Sequence, residues 1–187
     1  MAMQNSTEII IHTERLLLRG VQLEDTPAML RYRSDPQVAQ YQGWPPQSLE
    51  EVRSFLREAS LRAPNEPDTW YQLAIVLAAT GQLIGDVGIH FLGPDNEQAE
   101  IGYTLNPDYQ SKGYATEAVR GVLRYLFQDL GKHRVTASVD PRNTKSTALL
   151  ERIGMRREAW FRKSYWLKGE WTDDMVYALL REDWCRQ

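Results

Sequence analysis

The feature that most constrains this chain is a strand that stops at a proline turn, a polar loop with one glycine, and a helix that begins without a break. The apolar run Ile101-Gly102-Tyr103-Thr104-Leu105 leads through Asn106-Pro107-Asp108-Tyr109 into Gln110-Ser111-Lys112-Gly113 and then Tyr114-Ala115-Thr116-Glu117-Ala118. Ala115, Ala118, Val119, Val122, Leu126 and Phe127 recur at three- and four-residue spacing. That spacing predicts a helix with one apolar stripe, ending at Gly131. A helix start carries unpaired N–H groups and the positive end of the helix dipole, so a loop bent over it can hold an anion. Gly113 can take backbone angles closed to other residues and lets a ligand come close to the main chain. The segment predicts a site for a phosphorylated ligand, with a plain strand-to-helix turn as the alternative.

Two common phosphate motifs do not fit. The nucleoside triphosphate loop needs a lysine directly after its second glycine, whereas Lys112 precedes Gly113 and no second glycine is correctly spaced. The dinucleotide fingerprint G-x-G-x-x-G is absent. What remains is Gln110, Gly113 and Ala115 in the pattern Q-x-x-G-x-A. This resembles the coenzyme A pyrophosphate loop of the GCN5-related N-acetyltransferase (GNAT) family. A second segment, Asp140 to Met155, follows a β-branched strand at Arg134–Val139. In it Asn143, Ser146, Gly154 and Met155 resemble the next GNAT signature, N-x-x-S followed by G-M. Asn143 is also a good helix cap, and both roles are compatible. Thr13-Glu14-Arg15-Leu16-Leu17-Leu18-Arg19 resembles the opening strand of the branch that contains ribosomal-protein N-terminal acetyltransferases.

The resemblance implies an α/β (α+β) fold: one GNAT-like domain over residues 1–187, with its core at about 13–184. Its sheet would be mixed and mostly antiparallel, flanked by helices, with splayed central strands. The residues support that order. Met1–Ser6 is expected to fray and Glu14–Arg19 to form a first strand. A short helix runs from Glu24 or Asp25 to Arg33, with Pro27 in its first turn. Ser48-Leu49-Glu50-Glu51 is a capping box for a helix with Val52, Phe55, Leu56 and Ala59 on its apolar face. Strands are expected at Trp70–Ala78, Leu83–Phe91, Gln98–Leu105, Arg134–Val139, Arg156–Leu167 and Trp171–Leu180.

Composition narrows the partners. A chain of 187 residues with a net charge of -3 has no bulk attraction to nucleic acid or anionic membrane. One cysteine, Cys185, allows no internal disulfide, and no zinc spacing occurs. No apolar run reaches the roughly 18 residues a membrane helix needs. A cytoplasmic protein without metal, nucleic acid or membrane partner is expected, and the resemblance leaves a homodimer open.

The resemblance further implies acetyl-CoA as cosubstrate and a primary amine as acceptor: a protein N terminus, a polyamine, a drug or an amino acid. A coenzyme A binding module without turnover is the alternative. The Gln110, Ser111, Lys112, Gly113, Tyr114, Ala115 and Thr116 segment would take the pyrophosphate. Lys112, Arg142 or Lys145 could meet the terminal phosphate or merely be solvated. The pantetheine arm would pair along Tyr103, Thr104 and Leu105, and an amide of Tyr103 or Thr104 would stabilise the oxyanion. Glu100 is the candidate base, with His90 second. Many family members carry a tyrosine seven residues after Asn143 as acid; here that residue is Leu150. Ser146 is therefore expected to partner the departing thiolate. Tyr41 and Trp44 could form an acceptor wall or plug the core. Trp160, Phe161, Tyr165, Trp166 and Trp171 are expected in core or dimer packing, and Asp173 and Asp174 either attract a cationic amine or face water.

Overall fold

The protein is described by a computed structural model covering residues 8–186; the expectation for Met1–Ser6 lies outside the described residues. Its eight strands are β1 (Ile10–His12), β2 (Leu16–Gly20), β3 (Thr69–Leu77), β4 (Leu83–Leu92), β5 (Gln98–Leu105), β6 (Arg134–Val139), β7 (Arg156–Leu167) and β8 (Glu170–Leu180). The helices are α1 (Thr26–Arg33), α2 (Pro36–Ala39), α3 (Leu49–Ser60), α4 (Tyr114–Arg124), α5 (Thr144–Arg152) and α6 (Arg181–Trp184). The strands form one sheet in the order β1-β2-β3-β4-β5-β6-β8-β7. Neighbours are antiparallel except β5 and β6.

Side chains alternate across each strand, so the sheet separates two cores. Leu16, Leu18, Leu73 and Ile75 join the core under α4 and α5, while Ala74 and Val76 join the one under α1 and α3. In α4, Ala118, Val119 and Val122 are fully buried, as their spacing requires. Each large apolar side chain so buried contributes about 1.5–3 kcal/mol, which anchors the loop before the helix. The helix continues through a wider turn, Tyr125–Asp129, before Gly131 at φ +67°. Ser48 caps α3 by accepting from the Glu51 amide at 3.2 Å, but the Glu51 carboxylate accepts from Gln47 instead of closing the box on Ser48.

Several local expectations need correction. The opening strand starts at Leu16 because Thr13 makes a tight turn onto Leu16 and Arg15 is drawn out of the strand. β1, α2 and α6 were not legible; each is only three or four residues long, too short for a periodic signal. Trp160, Phe161, Tyr165, Trp166 and Trp171 are not core: each is 50–57% exposed. Their hairpin ends the sheet, and β7 is its outermost strand.

The sheet opens at its centre. β5 and β6 pair only through Gln98, Ala99 and Glu100 against Arg134, Val135 and Thr136. Beyond that, β5 follows β4 as far as Leu105, while β6 follows β8 as far as Val139. Asn106 donates its amide to Ile84 on the β4 side at 2.8 Å. Backbone direction alternates along a strand, so Thr104 and Gly102 face β4 while Tyr103 and Leu105 present their peptide groups to the gap.

Candidate active site

The polar loop has the backbone geometry that an anion cradle needs. Ser111 and Gly113 have φ of +60° and +83°, and Gly113 is the N-cap of α4 with no side-chain cap. The first bond into the helix runs from Glu117 N–H to Gly113 C=O at 3.0 Å. From Ser111 to Thr116, no backbone amide has a hydrogen-bond partner among the described residues. A cavity of about 780 Å³ lies over this row, lined by Ser111, Gly113, Tyr114, Ala115 and Thr116. A Cβ on Gly113 would stand 3.2 Å from the Arg15 guanidinium.

Distant residues hold the loop. The Gln110 side-chain amide donates to Leu105 C=O at 3.1 Å and accepts from the Lys145 ammonium at 3.0 Å. Glu117 accepts from the Thr13 hydroxyl at 2.6 Å and from the Arg15 amide and Nε, both at 2.7 Å. Partial burial alone would raise the Glu117 pKa, but these bonds outweigh it and hold the carboxyl below its ordinary value. Arg15 also donates to Lys112 C=O at 3.1 Å and lies over the Tyr114 ring at 4.4 Å. The sequence marked Thr13 and Arg15 only as part of a strand pattern; their joint grip on Glu117 was missed.

The expected phosphate cations are mostly engaged. Lys112 bends back to Asp108 C=O at 2.7 Å, and Arg142 is paired with Asp140 and Glu170 at 2.7 and 2.9 Å. Arg152, which sequence reasoning passed over, lines the same cavity with no acidic partner among the described residues.

A second cavity of about 460 Å³ lies across the open sheet. Tyr41, Gln42, Tyr103, Thr104, Asn143 and Ser146 line both cavities, so the two meet in the gap beside β5. Asn143 caps α5 by accepting from the Ser146 amide at 3.2 Å. The Ser146 hydroxyl lies 2.7 Å from the Tyr103 hydroxyl. Tyr41 reaches Arg142 C=O at 3.2 Å from α2's end.

Glu100, Asp173 and Asp174 line the second cavity. Burial raises the Glu100 pKa; His90 pulls it down and Asp174 pushes it up. Asp174 accepts from Ser138 at 2.6 Å, and Asp173 from the Trp160 indole at 2.7 Å. His90 pairs in register with Glu100 but stacks on Trp70 at 4.8 Å and lines neither cavity. Trp44 also lines neither; it packs on Phe55 at 4.7 Å in the smaller core.

The inner wall of this cavity is a buried polar cluster that the sequence did not disclose. Asp86, 1% exposed, accepts from Tyr32 at 2.5 Å, Arg33 at 2.5 and 3.1 Å, and Gln72 at 2.6 Å. Burial drives the Tyr32 pKa well above its ordinary value. Single polar letters on separate elements carry no spacing signal, so only the fold assembles them.

The unpaired amides, the left-handed Gly113 and the cavity over them fit the diphosphate of coenzyme A. The gap-facing Leu105 and Tyr103 edge fits a chain of amides. The family model described as an acetyltransferase (GNAT) domain matches residues 15–156. The chain is 34% identical over 175 residues to the uncharacterized N-acetyltransferase YnaD of Bacillus subtilis (strain 168), covering 93% of this chain and 98% of that one. A GNAT-family acetyltransferase crystal structure from Bacillus anthracis is 33% identical, with a TM-score of 0.83, covering 93% of this chain and 99% of that one. An Escherichia coli (strain K12) enzyme named as a ribosomal protein uS5 alanine N-acetyltransferase is 32% identical over 84 residues, 45% of this chain and 43% of that one. Fold, open sheet and sequence agree: this chain belongs to the GNAT family and is an N-acetyltransferase.

Proposed function

We propose that this enzyme transfers acetyl from acetyl-CoA directly to a primary amine in the second cavity, and that the acceptor is the α-amine of a protein N terminus. The observation carrying this reading is the meeting of two cavities at the β5–β6 gap, where cofactor and acceptor can be held together. Bound acetyl-CoA supplies a thioester as acyl donor. The Ser111–Thr116 amides bind its diphosphate, and the gap edge of β5 aligns its arm. The Tyr103 amide, facing the gap, stabilises the developing oxyanion; the Thr104 amide faces β4 and is not available for this.

Attack by the amine nitrogen forms the new C–N bond, and cleavage of the C–S bond leaves its electron pair on sulfur. Glu100 accepts the amine proton, directly or through water. An α-amine, with a pKa of about 7.7–8.0, is substantially neutral near pH 8, whereas a lysine amine at about 10.4 is not. A half-buried carboxylate is a modest base, which suits the more acidic amine. Acidic groups at the mouth, Asp173 and Asp174, favour a cationic visitor. The E. coli relative named for uS5 alanine adds support for a protein acceptor.

The test is thiol release from acetyl-CoA with peptides bearing alanine or serine N termini, set against polyamines, amino acids and aminoglycosides. Turnover with free N-terminal peptides, abolished by blocking the α-amine, is expected. Turnover only with small amines would overturn the acceptor assignment.

A further inference from the structure

Family members that use a tyrosine acid place it where this chain has Leu150, which is fully buried in the core. A tyrosine nevertheless enters the gap from β5. Tyr103 projects from β5, and its hydroxyl meets Ser146 on the first turn of α5 at 2.7 Å. Both residues line both cavities.

We propose that Tyr103 is a positioning residue: it donates its phenolic hydrogen to Ser146 Oγ, turning the Ser146 hydroxyl hydrogen onto the departing sulfur. This rests on the function proposed above. A phenol is the stronger hydrogen-bond acid, so Tyr103 donates and Ser146 accepts. The alternative acceptor for Tyr103, Ser146 C=O, is at 3.4 Å and is the poorer partner. With its lone pair engaged, the serine hydrogen has no other protein acceptor among the described residues and is free for a ligand. Burial lifts the Tyr103 pKa to about 12, so the donor stays protonated across the working pH range. Ser146 also sits in the first turn of α5, whose dipole favours negative charge. No proton moves along the pair: the thiolate receives a short chain of hydrogen bonds and takes its proton later from solvent.

The experiment titrates the thiol of coenzyme A bound to the whole protein, by ultraviolet thiolate absorbance, and needs no acceptor. In the unmodified protein the bound thiol should ionise below its value in free solution. Tyr103→Phe should move that ionisation up by roughly one pH unit. Ser146→Ala should move it at least as far, and the double variant no further than Ser146→Ala alone. Coenzyme A affinity, read by calorimetry at a pH where the thiol is neutral, should change less than about threefold. Identical ionisation in the unmodified protein and Tyr103→Phe, or additive shifts in the double variant, would overturn the inference while leaving the enzyme function intact. Failure of the unmodified protein to bind coenzyme A at all would overturn the function and the inference together.

Discussion

Arg15 holds the carboxylate of Glu117 with both its backbone amide and its guanidinium, each at 2.7 Å, across most of the domain's sequence. The pair joins the residue before β2 to the first turn of α4, and Arg15 reaches on to Lys112 C=O within the loop that precedes α4. An arginine just ahead of β2 thus shapes the loop before α4 without lining the cavity over it.

Replacing Glu117 with glutamine removes the charge and the oxygen that accepts from the Arg15 guanidinium, leaving one neutral oxygen for Thr13 and the Arg15 amide, and should cost about 1–3 kcal/mol of stability at neutral pH. Because the Glu117 pKa is lowered in the folded protein, its contribution is present above its ordinary value of 4.5 and fades as pH falls through the folded value. Urea denaturation at stepped pH should find the two proteins converging only below pH 4.5. A constant gap down to strong acid would contradict the assignment.

Glu100 must be ionised to accept a proton, so kcat/KM should fall on the acid side as pH drops through its raised pKa. Asp174→Asn removes an effect that pushes this pKa up and should move the acid limb to lower pH. His90→Gln removes the opposing effect and should move it to higher pH. Glu100→Gln should lower kcat/KM by about 100-fold or more. Unmoved limbs in both neighbour variants would remove Glu100 as the base.

Gly113→Ala combines a left-handed backbone, costing about 1–2 kcal/mol, with a Cβ 3.2 Å from the Arg15 guanidinium. Thermal melting should drop by a few degrees. Coenzyme A affinity by calorimetry should weaken at least about tenfold, since relief of the strained backbone and of the Arg15 contact shifts the loop amides out of line. Affinity within twofold of the unmodified protein would place the diphosphate elsewhere.

Asp86→Asn leaves Arg33 buried without its counter-charge and should destabilise the fold by about 3–5 kcal/mol. Tyr32→Phe removes one bond of the same cluster and should cost about 1 kcal/mol. The midpoints of chemical denaturation measure both, and equal losses would mean that the ion pair carries no special weight.

The long elements were readable because their signal is periodic and local. Val119, Val122 and Leu126 mark α4, and Arg134–Val139 coincides with β6. The turn into α4 was readable because one glycine and a helix start suffice to define it. Catalytic placement was less legible. Glu100, Tyr103 and Ser146 were selected from the sequence, but the hydroxyl contact between Tyr103 and Ser146 joins residues on separate elements. Trp44 and His90 had suitable chemistry, yet packing on Phe55 and on Trp70 turns them away from both cavities. Which of two adjacent amides faces the gap, Tyr103 or Thr104, followed only from the pairing of β5 with β4.

The sequence by itself determined the succession of the longer strands and helices, the glycine turn into α4 and the family resemblance, because each depends on spacing along one stretch of chain. The tertiary structure alone decided that the expected splay begins after Glu100, that two cavities meet there, and that Asp86 and Glu117 are anchor points. Those features arise where residues far apart in the chain are brought within hydrogen-bond distance, and no local pattern encodes such an encounter.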